Sequence, residues 1–421
     1  MQSQTKTDAE TLRPLAERIL DLSQRPSEAE KKKLWADHQA LKPVSRVPIS
    51  VYYEGIPTRQ WSIALGDNFI KCSGALARSI ELDLRVRIWM AENVPDDRIV
   101  WPTILVNAPV IERQGWGVEM KWKYSEDELG AKGYDPPFAD EIDLDRLTVP
   151  ILEHDPKAVA DTVAEARELV SGLLTVYPVY ADLDTFAPFD TATSMRGMEN
   201  LLLDTALEPD KVIGLMDFIT SATVLHLQRR EENGWLNVHP DSTKKYQQVG
   251  FRVQCAYLGD DFSSRKPKLS DEWVYISQQT SAGLGPRDYA RFVNPSNVQL
   301  ALPFVNDTVY YHGCECLDEK MEILAELPHL RRFHVSPWTS LSKARDKFQG
   351  RVVLEVHDHP GKVFFSDSPE ETRARVRWLL DTADGHPMDL NLSDISSVND
   401  NFALLTRWAE IARQEIDLVC G

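Results

Sequence analysis

Apolar residues recur at helical spacing at the start of the chain and give way to strand-like runs further on. DAETLRPLAERILDLSQ shows an apolar residue every third or fourth position, and SEAEKKKLWADHQAL opens on a serine cap with acidic residues in its first turn. Residues 1–45 therefore form a helical extension, and residues 46–421 form the main domain. The spacing next predicts a helix over Leu76–Glu92 and a buried strand over Thr103–Pro109. From Gly115 to Pro150 the chain is rich in Gly, Pro, Asp and Trp and has little periodicity, which suggests a long excursion over a site.

Beyond residue 150 strand and helix patterns alternate. Strands are expected at Thr175–Ala181, Arg252–Tyr257, Trp273–Ser277, Thr308–His312, Arg332–Val335, Val352–His357 and Met388–Leu392. Helices are expected at Pro156–Leu174, Ser194–Ala206, Asp210–Glu232, Arg287–Leu302, Leu317–Glu326, Leu341–Phe348, Pro369–Asp381 and Asn399–Gln414. With Thr103–Pro109 the strands number eight. Alternation of this kind implies an α/β fold with parallel strands, and eight units favour a (β/α)8 TIM barrel whose chemistry sits where strands end.

Composition narrows the class. The chain has 421 residues, 47 Lys plus Arg against 65 Asp plus Glu, and a net charge of −18. That balance disfavours nucleic acid and anionic lipid as partners. No apolar run spans a bilayer, the N-terminus lacks a signal-peptide core, and five cysteines are too few and odd for a disulfide scaffold. A cytoplasmic protein is expected.

Three strand ends hold candidate chemistry. His312 and Cys314 follow the strand TVYY, with Cys316 close behind. Imidazole beside a soft thiolate suits zinc, and the plain alternative is a packed cysteine beside a hydrogen-bonded histidine. His357, Asp358 and His359 close the strand VVLEV; in extended chain the two histidines share a face, as ligands, acid–base groups or hydrogen-bond donors, unless Asp358 merely starts a turn. Asp389, Asn391 and Asp394 lie at the last strand and could complete a site or cap a helix. Gln278, Gln279 and Ser281 could read a polar substrate edge. Glu199 lies among Met195, Met198 and Leu201–Leu203, facing either that apolar side or solvent. Trp116, Trp122 and Tyr124 could wall an apolar pocket or pack the excursion. SAGLGPRD lacks the third glycine of a dinucleotide loop, and no Walker A, HExxH or GxSxG motif occurs. DGHPMD begins like a cobalamin lower-ligand loop but lacks the glycine that should follow.

At VYYHGC the chain resembles the uroporphyrinogen decarboxylase superfamily, whose members are (β/α)8 barrels. The likeness covers roughly residues 145 to 418. It runs in order through DLDRLTVPILEHDP, MRGMENLLLDTALEPDKVIGLMDFIT, SAGLGPRDYARFVNPSN, FHVSPW, GRVVLEVHDHPGKVFFSDSPEETRARVRWLL and LNLSDISSVNDN. The Arg-rich motif of the true decarboxylases is missing from RVPISVYYEGIPTRQW. The resemblance therefore implies the cobalamin-dependent methyltransferase branch, including the first component of O-demethylase systems. It implies zinc held by His312 and Cys314, although Asn391, Ser393 and Asp394 stand where that branch places a further cysteine. It also implies a corrinoid protein as partner, which brings its own cobalamin, and a small methylated substrate such as a methoxylated aromatic. A homodimer stays open. His357, His359 and Asp358 are the expected catalytic groups; Gln278, Gln279, Glu199, Asn391 and Trp116 are the expected substrate contacts. The rival readings are a decarboxylase of another cyclic or acidic substrate, and a non-catalytic barrel that binds a tetrapyrrole or a protein.

Overall fold

Residues 7–123, 125–126, 133–181, 183, 187–237 and 266–420 are described in this computed structural model of the protein. Helix Asp8–Ser23 starts in a capping box between Thr7 and Glu10 and buries Leu12, Ala16, Ile19 and Leu22. That stripe packs on Ile80 and Leu84 of helix Ala75–Asn93. The next helix is Pro26–Gln39. Its proline sits in the first turn and Arg25 occupies the cap position without a side-chain bond, so Ser27 is not the cap the sequence suggested.

Twelve strands follow among the described residues: β1 Ile49–Val51, β2 Thr103–Asn107, β3 Val110–Gln114, β4 Lys121–Lys123, β5 Gly133–Asp135, β6 Ile151–His154, β7 Thr175–Val179, β8 Val274–Ser277, β9 Val309–His312, β10 Leu330–Val335, β11 Val353–Asp358 and β12 Met388–Leu392. Six form one wholly parallel sheet in the order β1-β12-β11-β10-β9-β8. β2 and β7 form a second parallel pair. β3 with β6, and β4 with β5, are antiparallel pairs within and beside the excursion, which is less irregular than its composition implied.

The fold is thus mixed α/β around a parallel sheet of six strands. The strand expected at Arg252–Tyr257 lies outside the described residues. β1 was not expected. It is three residues long, and its outer edge is completed by side chains rather than by a strand. Asp97 accepts from Ile49 N–H, Asp96 accepts from Val51 N–H, Asp97 N–H donates to Ile49 C=O, and Arg98 donates to Val51 C=O. Every backbone polar group on that edge is satisfied, as burial requires.

Helix boundaries also shift for local reasons. Ser194–Ala206 is two helices, Pro188–Arg196 and Met198–Leu207, broken at Gly197, whose φ of 87° is left-handed. Arg287–Leu302 is likewise split, with Val293 at the join and Pro295 opening the second helix. Leu317–Glu326 shortens to Met321–Leu324. The last helix runs Ala403–Cys420, because Asn399 and Asp400 both adopt positive φ and cannot belong to it.

Alternation along the sheet sets up the site. One face carries Tyr311, Phe333, Val335, Leu354, Val356, Leu390 and Leu392, all buried against Leu341, Ala344, Phe348, Val376 and Leu380 of the covering helices. At roughly 1.5–3 kcal/mol per large buried side chain, this face anchors the sheet. The other face of the same strands is polar.

Candidate active site and metal centre

On that second face, four adjacent strands each present two polar residues at i and i+2: Tyr310 and His312 on β9, Arg332 and His334 on β10, Glu355 and His357 on β11, Asp389 and Asn391 on β12. All eight are buried. Strand register sets His334 beside Glu355, Glu355 beside Asp389, and His357 beside Asn391.

The lower layer is a charge cluster. The Arg332 guanidinium lies 2.8 and 2.9 Å from the Asp389 oxygens and 2.7 Å from Glu355 Oε2. His38, from the second N-terminal helix, reaches Asp389 Oδ2 at 2.9 Å, and Asn391 donates to Asp389 Oδ1 at 2.7 Å. Burial by itself would raise the Asp389 carboxyl. The charge of Arg332 and the hydrogen bond from His38 outweigh it and hold that carboxyl well below the usual range. Burial likewise opposes the charge on Arg332, and the two carboxylates overcome it, so the guanidinium is raised and always charged.

Above it lie three imidazoles. His312 and His334 stack with centroids 3.9 Å apart and planes within 6°, and His357 meets His334 edge-on at 4.1 Å. Glu355 Oε1 accepts from Tyr310 O–H at 2.9 Å and from His357 Nε2 at 2.7 Å. Tyr310 O also meets His312 Nδ1 at 2.7 Å, while His312 Nε2 lies 3.2 Å from Cys314 Sγ. His334 Nδ1 donates to Gly313 C=O at 2.7 Å. Ligand atoms of His312, His334 and Glu355 lie within 4.8 Å of one another. Two imidazoles with a thiol and a carboxylate beside them are a donor set of the kind zinc takes.

The other expected residues are distributed as follows. Asn391 joins the cluster. Asp358 ends β11 but turns to the covering layer, where it accepts from Arg375, Trp408 Nε1 and His359 N–H. His359 does not continue the strand; it caps helix Pro360–Phe365 and packs against the exposed Trp338. Asp394 Oδ2 is 3.8 Å from His357 Nδ1. Gln278 is buried and spans Phe189 N–H and Asn297 Oδ1, whereas Gln279 begins the short turn Gln279–Gly283, where Ser281 bonds Gln278 C=O and Lys320. Glu199 is exposed in the first turn of its helix. Trp116 is buried beside Phe218. The Trp122 side chain and Tyr124 lie outside the described residues. Cys316 is exposed. His386, in the stretch that begins like a cobalamin loop, is buried and bonds Val352 C=O.

Sequence reasoning missed His334, Glu355, Tyr310, Arg332 and His38. A signal for three of them, Arg332, His334 and Glu355, was present. A charged or imidazole residue at every second position of an apolar strand, as in RRFHV and VLEVHD, marks a polar face. His38 gave none, since its partner lies 351 residues away. A further buried carboxylate, Glu315, follows Cys314, and burial pushes it up to about 7.

No helix among the described residues is long and apolar enough to cross a membrane. No protein-family model matches the chain, and no curated protein matches its sequence. Among solved structures it is similar to a methyltransferase from Methanosarcina mazei, with 13% sequence identity, a TM-score of 0.52, and 90% of this chain and 98% of that chain covered. At that identity the likeness is one of fold.

Proposed function

We propose that the protein is a methyltransferase of the uroporphyrinogen decarboxylase superfamily, built on a (β/α)8 barrel, which takes a methyl group from a small methylated substrate and delivers it to a separate corrinoid protein. The observation that carries this reading is the buried cluster His312, His334, His357, Glu355 and Cys314 on the polar face of the sheet. The barrel reading is supported by two parallel sheets that together hold eight strands, β1 with β8–β12 in one and β2 with β7 in the other, and by the pairing of β1 with β12. The fold of the Methanosarcina mazei methyltransferase supports the reaction class.

His312, His334 and Cys314 would hold zinc, with Glu355 as a fourth donor or as the group that orients the first. Zinc, when bound, supplies Lewis acidity toward a thiol or ether oxygen. The chain's own groups have separate tasks. Glu355 holds His357 through Nε2–H, so Nδ1, facing Asp394, keeps the lone pair and is the nitrogen placed to take up a proton and, as imidazolium, pass it to a departing oxygen. Trp116, buried beside Phe218, would supply apolar surface for a methoxylated aromatic ring. Arg332, the one guanidinium in the cluster, is already neutralised by two carboxylates, which weighs against a decarboxylase that needs a cation for its substrate.

Metal analysis of the purified protein tests the site. One equivalent of zinc is expected, lost in His312→Ala and in His334→Ala and weakened in Cys314→Ala. Incubation with Co(I) corrinoid protein and methoxyarenes should then give methyl-Co(III) absorbance. Metal-free wild-type protein, inert toward a broad panel of methyl donors, would end the proposal.

A further inference from the structure

His312 can act as a ligand through Nε2 only if its proton resides on Nδ1, and at neutral pH an imidazole carries one proton on either nitrogen. Its neighbours decide between them. Glu355 Oε1 receives Tyr310 O–H and His357 Nε2, and Glu355 Oε2 receives Arg332. An ionised carboxylate has no proton to give. The single phenolic proton of Tyr310 is therefore committed to Glu355 at 2.9 Å, and the Tyr310 oxygen faces His312 Nδ1, 2.7 Å away, as an acceptor. Nδ1 must be the protonated nitrogen. The lone pair is left on Nε2, the atom 3.2 Å from Cys314 Sγ.

We propose that Tyr310 and Glu355 are positioning residues that fix His312 as its Nδ1–H tautomer and so create the nitrogen donor of the site. The inference rests on the metal reading above for its purpose, but not for its test. A carboxylate that orients a ligand imidazole directly is the usual arrangement; here a phenol is interposed. The interposed ring also brings the carboxylate within reach of His357, so one glutamate sets the orientation of two histidines. Arg332, bonded to the other oxygen at 2.7 Å, fixes that glutamate in place.

Protein labelled with ¹⁵N in its imidazoles, studied metal-free by long-range ¹H–¹⁵N NMR, reads the tautomer directly. The His312 signals are assigned by their loss in His312→Gln. Wild-type protein should show His312 protonated at Nδ1. Tyr310→Phe removes only the hydroxyl and should move the proton to Nε2 or mix the two forms. Glu355→Gln should do the same while keeping the phenol. Where wild-type protein binds zinc, Tyr310→Phe should weaken it about 10- to 100-fold. His312 protonated at Nε2 in the wild type, or an unchanged tautomer in Tyr310→Phe, overturns the proposal. An Nδ1–H tautomer in a protein that takes up no zinc overturns the metal reading and leaves the relay standing.

Discussion

Arg332→Leu is the most informative single change to the buried cluster. It removes the one guanidinium that separates Asp389 from Glu355, at distances of 2.7 to 2.9 Å, where all three side chains have no solvent exposure. Two carboxylates then face each other without a cation. Removing one partner of a buried ion pair costs about 3–5 kcal/mol, which is a large part of the roughly 5–15 kcal/mol that holds a domain together. The pH dependence should also change sign. In the wild type the Asp389 carboxyl is held below its unfolded value, so its contribution is complete above about pH 4 and is lost as the pH falls through the depressed folded value. In Arg332→Leu burial is no longer outweighed, the carboxyl rises above its unfolded value, and acidification from pH 7 to 5 should stabilise the variant. Urea unfolding followed by far-ultraviolet circular dichroism at several pH values measures both effects. Adding Asp389→Asn to Arg332→Leu should recover part of the loss, because one uncompensated charge is gone. A loss below about 1 kcal/mol at pH 7, or no recovery in the double variant, would refute the reasoning.

Three other outcomes are expected. Asp96 is buried, and burial raises its carboxyl to about 6 despite Lys31 and Arg98; folded protein therefore holds that proton more tightly than unfolded protein, and Asp96→Asn should flatten a gain of about 1 kcal/mol between pH 7 and 5 seen in wild-type denaturation. Asp358→Asn should lower the unfolding midpoint, by roughly 2–3 kcal/mol through its bonds to Arg375 and Trp408, yet leave zinc content per folded molecule unchanged; loss of zinc with stability intact would return Asp358 to the site. Gly117→Ala should destabilise by about 2 kcal/mol or more, since φ is 83° and the added carbon would lie 2.5 Å from Arg146 C=O; a thermal melt matching wild type would contradict the close approach.

The strands of the C-terminal half were readable because each is a short apolar run closed by polar residues. Met388–Leu392 and Leu341–Phe348 have the same limits in sequence and structure. β1 was hidden because its pattern is only three residues long and its edge partners are side chains at positions 96 to 98. His312 and Cys314 could be named from a strand end alone. Their support shows in sequence only as alternation at Arg332, His334 and Glu355, and which groups these residues meet is visible only when four strands stand side by side. For Asp358 and His359 adjacency to His357 suggested a place at the site, whereas Asp358 turns to the covering helices and His359 stands at the cap position before helix Pro360–Phe365.

A short strand whose outer amides and carbonyls are claimed by Asp96, Asp97 and Arg98 offers nothing for an incoming peptide to grip. Exposed strand margins are where copies of a protein zip together, and ordinarily a helix or a charge is needed to blunt them. Here the chain has gloved its own margin, so association through that side of the sheet, by strand exchange or fibril growth, would first have to pull two carboxylates off the backbone.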